Sequence, residues 1–170
     1  MIAVDPLEFA ARLTWGLDVD AEAGEAPARF DRHLFCGADG LFPARLDGWE
    51  RTVVSDELAR AETVAWYWNG ARPAPVSIAA CHRGGHATRK VRPDFIFFSR
   101  LDDGTIAADI VHPGGIRKGD SHVAADCLKG LAAAWPAAFR RVEVFVEIDR
   151  KVWVHDLIED IPQVCSPSGK

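Results

Sequence analysis

The spacing of hydrophobic residues changes near residue 75 of this chain. Before that point apolar positions recur three and four residues apart, and after it they form short runs rich in Val, Ile and Phe. Turn sequences containing RGGHA, DDG, PGG and DR bound these runs. The pattern therefore predicts five strands, whose sequences are PVSIAAC, KVRPDFIFF, TIAADIVH, RVEVFVEI and KVWVHDL.

Two longer helices are predicted around these strands. The first runs from Trp49 to Ala61 and takes Asp47 as its N-cap. The second runs from Ser121 to Trp135. The apolar face of the second helix is predicted to comprise Ala124, Cys127, Leu128, Leu131 and Trp135. A shorter amphipathic helix is predicted over residues 6–17, before the segment DVDAEAGEAPAR, whose composition is typical of a linker.

The order of these elements indicates a mixed α/β fold, because a helix after a strand meander returns the chain to the sheet. We expect a central mixed sheet of about four to five strands flanked by helices, with residues 91–98 beside residues 105–112. A length of 170 residues suits one compact domain. We assign residues 1–28 to an N-terminal helix and acidic linker, and residues 29–170 to the domain.

The formal net charge of -5 conceals an uneven distribution of charge. Residues 1–28 contain six acids and one base, which account for the whole excess of negative charge. The remainder of the chain is therefore neutral. Residues 83–92 contain four bases and no acid. This basic patch consists of Arg83, Arg89, Lys90 and Arg92, and a glycine-containing loop adds Arg117 and Lys118. Such groups are candidates for contact with DNA phosphates, although charges also protect the edges of ordinary hairpins.

Neither a membrane-spanning segment nor a disulfide framework is indicated. The chain has no run of about 18 apolar residues, and its first residues lack a basic start and an apolar signal core. Its four cysteines lie far apart without a CxxC pair. We therefore expect a soluble, cytoplasmic protein with reduced cysteines.

The aromatic run Trp66 to Trp68 is a candidate for stacking on bases, although aromatics before a strand are more often core residues.

The predicted hairpin over residues 89–115 raises the question of a metal site. Strand alternation places Asp94 on a partly apolar face, and it places Asp109 and His112 on opposite faces of the next strand. Without a bulge, only one of Asp109 and His112 can face Asp94. An ionised aspartate among apolar residues needs a cation, donors or protonation. A metal ion is one solution, and Arg92 or a backbone cap is the alternative.

The segments WYWNGARP, VRPDFIFF and DDGTIAADIV, followed by a helix containing CLKGL, resemble the PD-(D/E)XK superfamily of restriction-endonuclease-like proteins. The chain is most similar to the nuclease-like domain at the C-terminus of bacterial DEAD/DEAH-box helicases and type III restriction-like subunits. The resemblance runs from about His33 to Asp156. It implies a restriction-endonuclease-like core, a DNA substrate, a helicase partner, and Mg²⁺ or Mn²⁺ as cofactor. It also implies Glu50 as the helix carboxylate and Asp94 as the first metal ligand.

The second half of the family signature is incomplete. Active members have an acid, any residue and then lysine, and two registers are open here. One register takes Asp109 as the acid and puts Val111 in the lysine position, and the other puts Ile110 and His112 in those positions. Lys129 on the next helix is the candidate replacement for the lysine. The resemblance thus implies Glu50, Asp94, Asp109, His112 and Lys129 as catalytic candidates, and the first three as metal ligands.

Two functions are open on these grounds. One is metal-dependent hydrolysis of DNA phosphodiesters, in association with a helicase in restriction, defence or repair. The other is an inactive nuclease fold that serves as a DNA-binding or scaffolding module, because a fold does not determine whether activity is retained.

Overall fold

The computed structural model describes residues 26–69, 78–84, 87–113, 121–148 and 151–159. The helices are α1 (Gly48–Ala59) and α2 (Ser121–Ala134). The strands are β1 (Ala28–Phe30), β2 (Phe42–Ala44), β3 (Thr63–Trp68), β4 (Ala80–Gly84), β5 (Ala87–Val91), β6 (Phe95–Arg100), β7 (Ile106–His112), β8 (Phe139–Ile148) and β9 (Lys151–Asp156). The helix predicted over residues 6–17 lies outside the described residues. Neither α1 nor α2 is long and apolar enough to cross a bilayer.

The main sheet has five strands in the order β3-β6-β7-β8-β9. Its pairs are antiparallel except β7 with β8, which are parallel and joined through α2. The predicted mixed α/β class is therefore confirmed. The predicted adjacency of residues 91–98 and 105–112 is confirmed as well, because β6 pairs with β7 and places Phe95 opposite Val111. Gly104 closes their turn at a φ of 82°, which favours glycine over other residues.

Each face of the sheet carries its own hydrophobic cluster. On one face, Val54 of α1 packs in a cluster with Trp66, Phe97 and Val111, and β2 contributes Phe42. On the other face, a second cluster contains α2, the strands β7 and β8, and the β4–β5 hairpin. Its buried members include Ala80, Ile110, Cys127, Leu128, Val142 and Val144. Adjacent residues of β7 thus face different layers, as the two-residue period of a strand requires.

Several predicted boundaries were wrong. The segment VAWYW was not predicted as a strand, but it forms β3 at the edge of the main sheet. KVRPDFIFF is not one strand, because β5 ends at Val91 and β6 begins at Phe95, on either side of Pro93. Proline has no amide hydrogen to donate to a strand partner. As a result, β4 and β5 form a separate two-stranded sheet rather than part of the central one.

The two helices match their predicted positions closely. The N-cap of α1 is Asp47 as predicted, and the helix ends at Ala59 instead of Ala61. Helix α2 ends at Ala134, one residue before its predicted end, and Trp135 is 63% exposed. Trp135 is therefore not part of the buried face to which it was assigned. Trp66 is fully buried, so in this fold it is a core residue and does not offer its ring to a base.

Candidate functional site

Two polar clusters lie on opposite faces of β7. Asp109 and His112 are three residues apart on this strand, so their side chains point to different sides of the sheet. The Asp109 cluster contains Ser99, Arg140 and Arg141, and the Asp94 cluster contains His112. His112, and not Asp109, is therefore the β7 residue that faces Asp94.

Asp109 is fully buried and its carboxylate is surrounded by donors. The Ser99 hydroxyl donates to Oδ2 at 3.0 Å, and the Arg140 Nε donates to Oδ1 at 3.0 Å. A second nitrogen of Arg140 also bonds Oδ2, and Arg141 lies 3.4 Å from the same oxygen. These contacts neutralise the buried charge without a metal ion, as a buried carboxylate requires.

An irregularity in β8 brings two consecutive arginines to one carboxylate. Ala108 pairs with Phe139 and Asp109 pairs with Arg141, so Arg140 is an extra residue in the parallel ladder. In a regular strand Arg140 and Arg141 would point to opposite faces. A bulge re-aims a side chain in this way, and here both guanidinium groups contact Asp109.

Arg141 continues the cluster to helix α1 and along its own strand. It donates to Glu57 Oε2 at 2.7 Å and to Glu143 Oε1 at 3.2 Å. Burial alone would lower the pKa of Arg141, but the hydrogen bond and charge of Glu57 outweigh it and raise the pKa. Burial raises the pKa of Glu143, and the charge of Arg141 partly opposes that rise. The whole cluster is a buried ion network between α1 and the sheet.

The Asp94–His112 pair lies at the end of β7 where the chain leaves the sheet toward α2. Asp94 Oδ2 is 2.8 Å from His112 Nδ1, and the two side chains are 23% and 11% exposed. Backbone and side-chain bonds from Asn69 hold the segment that carries Asp94: the amide of Asn69 donates to the Asp94 carbonyl at 2.7 Å, and its side chain donates to the Pro93 carbonyl at 2.8 Å. Asn69 itself is buried.

The predicted catalytic residues are therefore only partly brought together. Glu50 forms a capping box at the start of α1, where its Oε2 accepts a 2.9 Å bond from the Asp47 amide. Asp94 and His112 meet, whereas Asp109 lies on the opposite face with its own partners. Lys129 is a half-buried residue of α2. A single Mg²⁺ shared by Glu50, Asp94 and Asp109 does not fit this arrangement, and a metal cofactor as such stays a prediction.

Within the described residues, no group of three His, Cys, Asp or Glu side chains could hold a metal ion.

Most of the basic residues predicted to contact DNA lie within the described part of the chain. Arg83 lies in β4 and Arg89 and Lys90 lie in β5, so the β4–β5 hairpin carries most of the basic patch. Lys90 is exposed, and Arg92 follows β5 with its Nε buried. Arg117 and Lys118 fall outside the described residues.

Sequence reasoning missed Ser99, Arg140, Arg141 and Asn69. One signal for Arg141 was available: it stands in the apolar run RVEVFVEI, on the same strand face as Glu143. A charge pair on one face of a strand predicted to be central indicates a buried ion pair. Glu57 lies beside the apolar stripe of α1 in the sequence, and its burial depends on where α1 lies on the sheet.

Comparisons with known proteins give a family without a stated activity. The family model described as the YagJ family matches residues 31–164. Protein YagJ of Escherichia coli (strain K12) is 32% identical over 125 residues, which cover 74% of this chain and 51% of that protein. The chain thus spans about half the length of that curated relative. No solved structure matches the chain.

Proposed function

The chain belongs to the YagJ family, and we propose that it is a nucleic-acid-binding domain built on a catalytically degenerate nuclease-like core. In this proposal the basic β4–β5 hairpin contacts phosphates. The observation that carries it is the state of Asp109. This residue stands at the acid position of one signature register, but its carboxylate is buried and bonded to Ser99, Arg140 and Arg141.

The order of elements supports a nuclease-like core. A helix, α1, precedes the antiparallel strands β3, β6 and β7, and α2 then leads to the parallel strand β8. The Pro93–Asp94 pair precedes a central strand that forms a hairpin with the strand of Asp109. These are the elements on which the resemblance to the PD-(D/E)XK superfamily depends. The restriction-endonuclease-like assignment remains part of the proposal.

The energetics of Asp109 support a structural role for this carboxylate. A metal ion at Asp109 would have to displace at least one guanidinium group from a buried carboxylate. An arginine that loses its buried partner costs several kcal/mol, about 3–5 in measured cases. Metal binding would have to supply that energy before it stabilised any transition state. We therefore assign Asp109 a structural role and not a catalytic one.

The hairpin supports nucleic-acid binding through its position. Strands β4 and β5 pair only with each other among the described strands, and Ala80 and Val91 pack them against the cluster that contains α2. The hairpin thus carries Arg83, Arg89 and Lys90 on an element separate from the main sheet, and Arg92 follows its second strand. Phosphate contacts of this kind give binding that is independent of sequence and falls steeply with salt. A helicase or a further domain of a longer protein, as the resemblance implies, is the proposed partner.

The test uses the full chain and a labelled DNA duplex, with affinity measured by anisotropy at several salt concentrations. Neutralising the basic patch (Arg83, Arg89, Lys90 and Arg92 to Gln) should weaken binding and reduce the salt slope by up to about 3.6, because each of four phosphate contacts contributes about 0.9. The matched control neutralises Arg45 and Arg51, which are exposed residues near α1. Unchanged affinity and slope in the patch variant, with both variants folded by circular dichroism, excludes this surface.

Metal-dependent hydrolysis is the second candidate, and the Asp94–His112 pair favours it. The pair is partly exposed and combines two side chains that bind metals. Incubation of the parent protein with DNA and Mg²⁺ or Mn²⁺ distinguishes the two functions. Absence of cleavage supports the binding module. Metal-dependent cleavage that is lost in Asp94→Asn but retained in the Arg45 and Arg51 control variant would show that the protein is an enzyme and not a binding module.

A further inference from the structure

We infer that one face of the β4–β5 hairpin enters the major groove of a B-form DNA duplex, and that Arg83 and Lys90 on this face contact the phosphates of its two walls. The inference rests on the proposed nucleic-acid binding and deepens it, because it names the form of nucleic acid and the bases that contact it. The observation that carries it is the strand register, which divides the basic residues between two faces of the hairpin.

The packed face of the hairpin is identified by one pair of residues. Ala80 and Val91 are register partners, and both belong to the hydrophobic cluster that contains α2. Helix α2 lies against both strands of the hairpin. Because successive residues of a strand alternate between its two faces, the pair of His82 and Arg89 occupies the same face as Ala80 and Val91. Arg89 is therefore placed on the face that is turned to α2.

The opposite face, hereafter the outer face, carries the two pairs that alternate with these. Lys90 is the partner of Cys81, and Arg83 is the partner of Thr88. Lys90 is exposed, as this placement requires. The four positions contain two cations and no acid, so the outer face complements the negative charge of a nucleic-acid backbone.

The composition of the outer face favours a duplex over a single strand. Proteins that bind single strands place aromatic side chains against successive bases, and none of the four outer-face residues is aromatic. Trp66, which belongs to the aromatic run of the sequence, is fully buried in the main sheet. The outer face thus offers contacts to a backbone and no platform for unpaired bases.

The shape of the hairpin favours B-form DNA over duplex RNA. The major groove of B-DNA is about 12 Å wide and admits a two-stranded β-ribbon, whose strands lie about 5 Å apart. The major groove of A-form RNA is deep and too narrow for side chains to read. Arg83 and Lys90 belong to different strands, so they flank the axis of the ribbon and each is nearer to one wall of the groove.

The experiment compares single substitutions of equal charge in the full chain, with affinity for a labelled DNA duplex measured by anisotropy over a range of salt concentrations. Arg83→Gln and Lys90→Gln should each reduce the salt slope by about 0.9, which is the contribution of one phosphate contact. Arg89→Gln is the matched control, because it removes the same charge from the other face and should leave the slope unchanged. A duplex RNA of the same sequence and a single DNA strand should bind the parent at least about tenfold more weakly.

The outcomes separate the inference from the function on which it rests. An equal loss of slope in Arg89→Gln and Arg83→Gln overturns the assignment of faces and leaves nucleic-acid binding in place. Equal or tighter binding of duplex RNA or of the single strand overturns the assignment of the groove. An unchanged slope in all three single variants and in the variant that neutralises the whole basic patch contradicts the proposed function itself.

A second measurement uses the unaltered protein, so it does not depend on the folding of variants. Methyl green occupies the major groove and netropsin the minor groove, so methyl green should displace the protein from DNA and netropsin should not. Bound duplex should also slow the alkylation of Cys81, read by mass spectrometry, whereas the exposed Cys36 should react equally with and without DNA. Displacement by netropsin alone, or equal alkylation of Cys81 in the two samples, contradicts the inference.

Discussion

Arg141 of β8 donates a 2.7 Å hydrogen bond to the buried carboxylate of Glu57 in α1. The same arginine lies 3.4 Å from Asp109, so one guanidinium joins the helix to the central strand β7. An ion pair at this depth contributes little net stability compared with apolar residues, but the loss of one partner leaves a charge without compensation. The network is therefore expected to be sensitive to single substitutions.

Replacing Glu57 by alanine should lower the free energy of unfolding by about 2–4 kcal/mol, because Arg141 loses a buried partner. Urea denaturation measures the change. Asp56→Ala is the matched control, since Asp56 is the exposed neighbour on the same helix and should change stability by less than about 0.5 kcal/mol. Equal effects of the two substitutions would show that the ion pair does not stabilise the fold.

Lysine should destabilise the fold much more at Val111 than at His112. The Val111 side chain is buried in the core with Phe95, so Val111→Lys should cost more than about 3 kcal/mol. His112→Lys should cost less than about 1.5 kcal/mol, because a longer side chain can reach solvent beside Asp94. Thermal denaturation of both variants checks this. A stable Val111→Lys protein would contradict the assignment of Val111 to the core.

His33 should make stability depend on pH. Burial lowers its pKa from 6.5 to about 4, and a backbone bond from Phe35 partly opposes that. The unfolded chain therefore binds a proton below about pH 6.5 that the folded chain accepts only near pH 4. The free energy of unfolding is therefore highest above that pH range. It decreases by about 3 kcal/mol in total as the pH falls through the range.

The check for His33 is urea denaturation of parent and His33→Gln at pH 7 and at about pH 4.5. The parent should lose about 2–2.5 kcal/mol more than the variant over this interval, since glutamine does not titrate and pH 4.5 still lies above the folded-state pKa of about 4. His155→Ala, at an exposed histidine of β9, serves as the control for the removal of a histidine. Parallel pH profiles of parent and His33→Gln would refute the prediction.

The start of α1 provides a test of the role of Glu50. Asp47→Ala should lower the free energy of unfolding by about 1 kcal/mol, because the Glu50 amide loses its 2.8 Å acceptor. Glu50→Gln should have less than about 0.5 kcal/mol effect, since the amide oxygen can still accept from the Asp47 backbone. Equal losses of stability in Asp47→Ala and Glu50→Gln would contradict this difference between the two capping residues.

Local interactions explain what could be predicted from the sequence. The Asp47 cap and the helices depend on residues three or four positions apart, and the β6–β7 hairpin is closed by a short turn at Gly104. Such contacts involve a few neighbouring residues, so their pattern is present in the sequence itself. Alternation along these strands also indicated that Asp109 and His112 could not both face Asp94, and His112 is the residue that does.

The sequence alone determined the α/β class, both helices and the pairing of the central hairpin. Tertiary structure decided which polar residues meet. VAWYW became β3 through antiparallel pairing with a strand about 30 residues later, and an irregularity opposite Ala108 turned Arg140 toward Asp109. The ion pair of Glu57 required α1 to lie on the face of the sheet that carries the Arg141 side chain, and Arg141 is distant in sequence. These contacts depend on strand register and layer packing, because a shift of one residue would reverse the face of every side chain.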